Sequence, residues 1–147
     1  MDKIEKTIVL AAPRARVWRA LTDSREFSQW FRIAFDAPFE VGKTMHGRVT
    51  YPGFEDRRAE IVIERMDAER LFSYRWRPAA IDPKVDYSKE PMTLVEFRLE
   101  DAPGGTRLTI VESGFDRVPE WRRADAFRMN DDGWSQQMQN IERHVTA

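Results

Sequence analysis

The chain has 147 residues, 24 basic against 25 acidic, for a net charge of -1; that balance lacks the basic excess needed to neutralise phosphates, so no nucleic-acid partner is expected. A domain of this length buries about 70% of the surface its unfolded chain exposes, so residues 1–147 are read as a single domain with one core. Cysteine is absent, which excludes disulfides and thiolate chemistry and suits a cytoplasmic location.

The N-terminus, MDKIEKTIVLAAP, carries charges at positions 2, 3, 5 and 6 and lacks the apolar core of a signal peptide. No apolar run approaches the ~20 residues of a membrane span, so none is expected. Within it, KIEKTIVL at 3–10 places Ile4, Ile8 and Leu10 on one side of an extended segment, with Glu5 and Thr7 on the other. This predicts a half-buried strand. Pro13 suits a first helical turn, and Val17, Trp18 and Leu21 follow at helical spacing, predicting a helix over about 13–21. Asp23 and Glu26 have the spacing of a capping box, with Phe27, Trp30 and Phe31 forming the apolar face of a second short helix.

From Arg32 the period becomes two, and five strands are predicted over 32–36, 44–51, 59–66, 70–77 and 92–100. The clearest is LFSYRWR, with Phe72, Tyr74 and Trp76 on one face and Ser73, Arg75 and Arg77 on the other, as in an antiparallel sheet wet on one side. Val95, Phe97 and Leu99 alternate likewise, and the PGG turn at 103–105 leads into a last strand, TRLTIVE. Between the fourth and fifth of these strands lies PAAIDPKVDYSKEP at 78–91, with three prolines in fourteen residues. Loops of about this length are uncommon in compact domains; a lid over a binding site and a floppy hairpin end are both open readings.

After Pro119, Phe127, Trp134, Met138, Ile141 and Val145 recur at helical intervals and predict a long helix over about 119–145. Gly133 lies inside it, at a cost of roughly 1 kcal/mol against Ala. Either a bend or a close neighbour is expected there.

Few residues invite chemistry. The two histidines, His46 and His144, lack metal-ligand spacing, and no Gly-rich loop opens a helix, so no metal or other cofactor is expected. Ser113 lacks a nucleophile elbow and reads as a turn residue. Asp82, Asp86 and the adjacent Asp131 and Asp132 lie in polar segments where solvation is the default. No general acid or base stands out.

AAPRARVWRALTD at 11–23 with Trp30 and Phe31, ERLFSYRW at 69–76, VEFRLEDAPGGTRLTIVESGF at 95–115, and Gly133 with Trp134 occur in this order along nearly the whole chain. The pattern resembles the START and pollen-allergen-like helix-grip superfamily, and more closely the branch named for the activator of the heat shock protein 90 ATPase. The resemblance implies an α+β fold: a curved, six- to seven-stranded antiparallel sheet wrapped around the long C-terminal helix, with two short helices after the first strand. It also implies a cavity between sheet and helix, and it supplies no shared catalytic motif.

The inward residues expected to line that cavity are Trp30, Phe35, Met45, Tyr51, Phe72, Tyr74, Trp76, Phe97, Trp134 and Met138. Such a lining fits a small hydrophobic molecule, bound or carried without catalysis. Trp30, at the expected mouth, is singled out for a role beyond packing. Two other functions stay open because fold does not imply function. One is a protein-interaction or co-chaperone-like stress module working through the outer sheet face or the 78–91 loop, as monomer or homodimer. The other is a cyclase-like enzyme using Tyr74, Tyr51 or an inward arginine.

Overall fold

The computed structural model describes residues 3–147. Chain order is β1 (Lys3–Leu10), α1 (Arg14–Thr22), α2 (Ser24–Phe31), β2 (Ile33–Phe35), β3 (Thr44–Val49), β4 (Arg58–Asp67), β5 (Leu71–Trp76), β6 (Thr93–Ala102), β7 (Gly105–Ser113), a 3-10 turn (Phe115–Arg117) and α3 (Glu120–Thr146). The seven strands form one antiparallel sheet in the order β1-β7-β6-β5-β4-β3-β2. The chain neighbours β1 and β2 therefore occupy opposite edges, and α1 and α2 span between them. This is the α+β helix-grip arrangement, with α3 as its long C-terminal helix.

Local chemistry sets the corners. The Asp23 carboxylate caps α2 by accepting from the backbone N–H groups of Arg25 at 2.9 Å and Glu26 at 3.2 Å. The capping box closes on that side only, because the Glu26 carboxylate is engaged by Arg16, Arg19 and His144 instead. Arg32 does not begin a strand: it adopts a left-handed conformation, φ 67°, as the C-cap of α2, and β2 starts at Ile33. At the β6–β7 hairpin Ala102 pairs with Gly105 across Pro103-Gly104. A Cβ on Gly105 would stand 1.9 Å from the Leu10 carbonyl oxygen, so the approach of β1 requires a glycine there.

Two further expectations are corrected. β3 ends at Val49, so Tyr51 lies in the following bend, 40% exposed, with the Arg32 guanidinium over its ring; strand alternation no longer governs its direction. The other concerns α3, which passes through Gly133 as one helix of 27 residues, and a Cβ at Gly133 would meet nothing within 4 Å. The glycine marks open space.

Strand register aligns the inner face in rows. Ile4, Glu112, Val95, Tyr74 and Ile63 make one row across five strands; Ile110, Phe97 and Phe72 make the next. All but Glu112 are apolar or aromatic, and each is 3% exposed or less. Burying such side chains contributes roughly 1.5 to 3 kcal/mol apiece.

Candidate ligand cavity

On the other side of the Tyr74 row the inner face opens past one further row, in which Ile61 and Met45 are still buried. Trp76, Ile61 and Met45 form the adjoining row, and beyond them Gly47 pairs with Ala59. There a cavity of about 480 Å³ lies between sheet and α3, within the size range of small-ligand sites. Its apolar wall comes from Phe31 and Ile33 at the α2–β2 corner, Val49, Ala59 and Trp76 from the sheet, and Met129 and Trp134 from α3. Gly133 lies in the same wall, where its missing side chain leaves the space noted above. His46, Arg58, Glu60, Arg77 and Gln137 complete the margin.

The 78–91 loop forms the remaining side through Ala79, Ala80, Ile81, Tyr87 and Ser88. Arg122 of α3, only 7% exposed, staples it at both ends. Its Nε and Nη2 donate to Glu90 Oε1 at 2.9 and 2.6 Å, its Nη1 donates to the Pro78 carbonyl at 2.7 Å, and its guanidinium stacks on the Tyr87 ring. Arg77 adds bonds to the Ser88 and Glu90 carbonyls. A planar fork that satisfies a carboxylate, a carbonyl and an aromatic face together is a task for arginine rather than lysine. The loop is thus a tethered cover.

Directly behind the wall sits Glu112, 0% exposed. Oε1 accepts from Trp134 Nε1 at 2.8 Å and Asn130 Nδ2 at 2.8 Å; Oε2 accepts from Trp76 Nε1 at 2.9 Å and the Thr93 hydroxyl at 2.6 Å. Indole and amide N–H groups can only donate, so this is the set of partners an ionised carboxylate requires, and it offsets the cost of burial. Three of the four donors, Trp76, Asn130 and Trp134, line the cavity, whereas Glu112 does not. One carboxylate therefore holds sheet wall and helix wall in register.

Tyr74 shares the row of Glu112. Its hydroxyl is buried without a hydrogen-bond partner among the described residues. Burial, and then the Glu112 charge, push the phenol well above its ordinary range, so it stays neutral near pH 7.

Of the ten residues expected at the cavity, the structure brings Trp76 and Trp134 to its wall. Trp30, Met45, Phe72, Tyr74, Phe97 and Met138 are buried in the core cluster. Trp30 donates its indole N–H to the Ala20 carbonyl at 2.8 Å, tying α2 to α1. Phe35 is also buried, with a ring that would lie 2.7 Å from a Cβ on Gly47, and Tyr51 is outside. Glu112, Asn130 and the opening at Gly133 are not anticipated from the sequence, which leaves the 78–91 loop open between a lid and a floppy hairpin end. A signal for Glu112 existed: Leu108, Ile110 and Glu112 share strand parity, which places the carboxylate on the inner face. Nothing comparable marks Asn130. Among the described residues no group of three or more His, Cys, Asp or Glu could hold a metal ion, and no helix is long and apolar enough to cross a membrane.

Comparison with known proteins agrees with this architecture. The family model described as Activator of Hsp90 ATPase homolog 1-like protein matches residues 11–146. Among curated proteins none matches the chain in sequence. Similar solved structures include protein MLL2253 from Mesorhizobium loti, with 24% identity, TM-score 0.76, and coverage of 98% of this chain and 96% of that one. Protein Ms6760 from Mycobacterium smegmatis has 20% identity and TM-score 0.76, covering 99% and 91%. The Aha1 dimer from Colwellia psychrerythraea has 15% identity and TM-score 0.73, covering 99% and 96%. At these identities the likeness is one of fold.

Proposed function

The chain belongs to the family of Activator of Hsp90 ATPase homolog 1-like proteins, and we propose that it acts as a single domain that binds or carries a small hydrophobic molecule without transforming it. The observation that carries this reading is the cavity of about 480 Å³ under a tethered loop, walled by Phe31, Ile33, Val49, Trp76, Met129 and Trp134. An apolar body entering it would lose most of its contact with water, and the few polar groups at the margin would orient it. Binding rather than catalysis is supported by Glu112, whose acceptor positions are filled by four side chains, and by Tyr74, kept neutral and buried. Neither is free to move a proton to a bound molecule. A cytoplasmic location belongs to the same reading and suits a chain without cysteine.

The test is titration with a neutral environment-sensitive probe, N-phenyl-1-naphthylamine, followed by fluorescence and calorimetry. Wild type is expected to bind with a negative heat-capacity change, and Gly133→Leu, which pushes a side chain into the space at α3, to abolish binding. If folded Gly133→Leu binds the probe as wild type does, the cavity is not the site. The interaction-module reading then takes first place.

A further inference from the structure

We infer that the cavity selects a positively charged ligand, a hydrophobic amine or alkylammonium whose head rests on the Phe31, Trp76 and Trp134 rings in front of the buried Glu112 carboxylate. This rests on the binding function proposed above and names the ligand class for the same cavity.

The three rings line the cavity and touch one another. Their centroids are 5.9 Å apart for Phe31 and Trp76, 5.8 Å for Phe31 and Trp134, and 5.8 Å for the two indoles. Aromatic faces carry negative quadrupole charge and attract cations, tryptophan most strongly, and clusters of such rings are how proteins hold quaternary ammonium groups. Each of the two indoles donates its Nε1–H to Glu112, so the carboxylate is bonded directly to two of the three rings.

Glu112 adds a charge to that surface. Its partners are neutral donors, and among the described residues no Lys, Arg or His lies within ion-pair distance of it. A carboxylate buried behind an aromatic wall is screened less than one in water, so its field extends into the cavity.

Two cations, Arg58 and Arg77, stand at the margin, whereas of the charged groups among the described residues only Glu112 is bonded to the aromatic wall. Arg77 donates to the Ser88 and Glu90 carbonyls. Arg58 lies two residues from Glu60 along the same strand edge of the margin, so opposite charges stand together there. At the aromatic wall an anionic head would meet the Glu112 charge, and a neutral one would gain only the apolar contribution.

The experiment measures displacement of N-phenyl-1-naphthylamine from wild type by decyltrimethylammonium, decanol and decyl sulfate, each below its micelle concentration. The cation is expected to bind about tenfold tighter than the alcohol, and the sulfate more weakly than either. In Glu112→Gln the cation-to-alcohol ratio is expected to fall to within about twofold of unity. Should that variant fail to fold, Trp134→Phe, which keeps a ring and removes the indole, is measured in its place and is expected to lower the ratio. If wild type binds decanol with no preference for the cation, the charge inference is overturned and the hydrophobic-ligand reading stands. If neither the naphthylamine nor any of the decyl compounds binds, the hydrophobic-ligand reading itself fails.

Discussion

Within β5, Phe72 and Tyr74 are fully buried, whereas Trp76, two residues on and facing the same way, lines an open cavity. The closed region continues into Phe97, Ile110, Leu108 and the C-terminal half of α3, where Met138, Ile141 and Val145 are buried. Around Trp76 the wall mixes the Phe31 and Trp134 rings with small or polar residues, Ala59, Ala79, Ala80, Asn130 and Gly133. Strand parity decides which side chains look inward; the size of what stands opposite decides whether they meet core or cavity. The closed region is also locked by charge, because Glu26 of α2 binds Arg16 at 2.7 Å and Arg19 at 2.7 Å from α1, and His144 at 2.9 Å from α3.

The severest way to break this division is Trp134→Asp, at the boundary of the two regions. It removes one donor from Glu112 and sets a second carboxylate beside it, so a loss of 3–5 kcal/mol, on the order of a broken buried pair, is expected, with no cooperative thermal transition by circular dichroism. A folded variant melting at the wild-type midpoint would show that this face of α3 is not interior.

A paired comparison separates the regions more finely. Ile141→Ala, in the closed region, is expected to cost about 2 to 5 kcal/mol in urea titration while leaving naphthylamine affinity unchanged. Gly133→Leu is expected to do the reverse: affinity is lost, yet stability holds or rises by up to about 1 kcal/mol through helix propensity. Equal stability losses in both would mean that the two regions are packed alike.

The smallest effect sharpens the charge lock. Burial alone would raise the Glu26 carboxyl, but hydrogen bonds from His144 and Arg16, the Arg16 charge and the Arg19 hydrogen bond outweigh it and hold the group below its ordinary range. A folded-state pKa below the unfolded one contributes stability above the unfolded value, about 4.3, that is lost as pH falls through the folded value. Glu26→Gln is therefore expected to lower the melting temperature at pH 7, corresponding to about 1 kcal/mol or less, and to match wild type in strongly acidic buffer. A gap that stays constant on acidification would assign its origin to packing.

The chain by itself determined the element types, their order, the antiparallel sheet and the long helix. Each of those follows from residue spacing within one segment: Phe72, Tyr74 and Trp76 at period two, Trp134, Met138, Ile141 and Val145 at helical period. The candidate site was legible in the two tryptophans and, as one of two open readings, in the 78–91 loop; the rest was not, because a lining is a relation between segments. Tyr51 left the inner face when β3 stopped at Val49, and Gly133 became a wall because no neighbour filled the space beside it. Glu112 was readable as inward from its strand parity, but its role depends on donors from β5, β6 and α3 that lie 18 to 36 residues away in sequence. Only the closed tertiary structure brings four such groups onto one carboxylate, since each hydrogen bond requires its partner within about 3 Å, a distance that sequence separation does not encode.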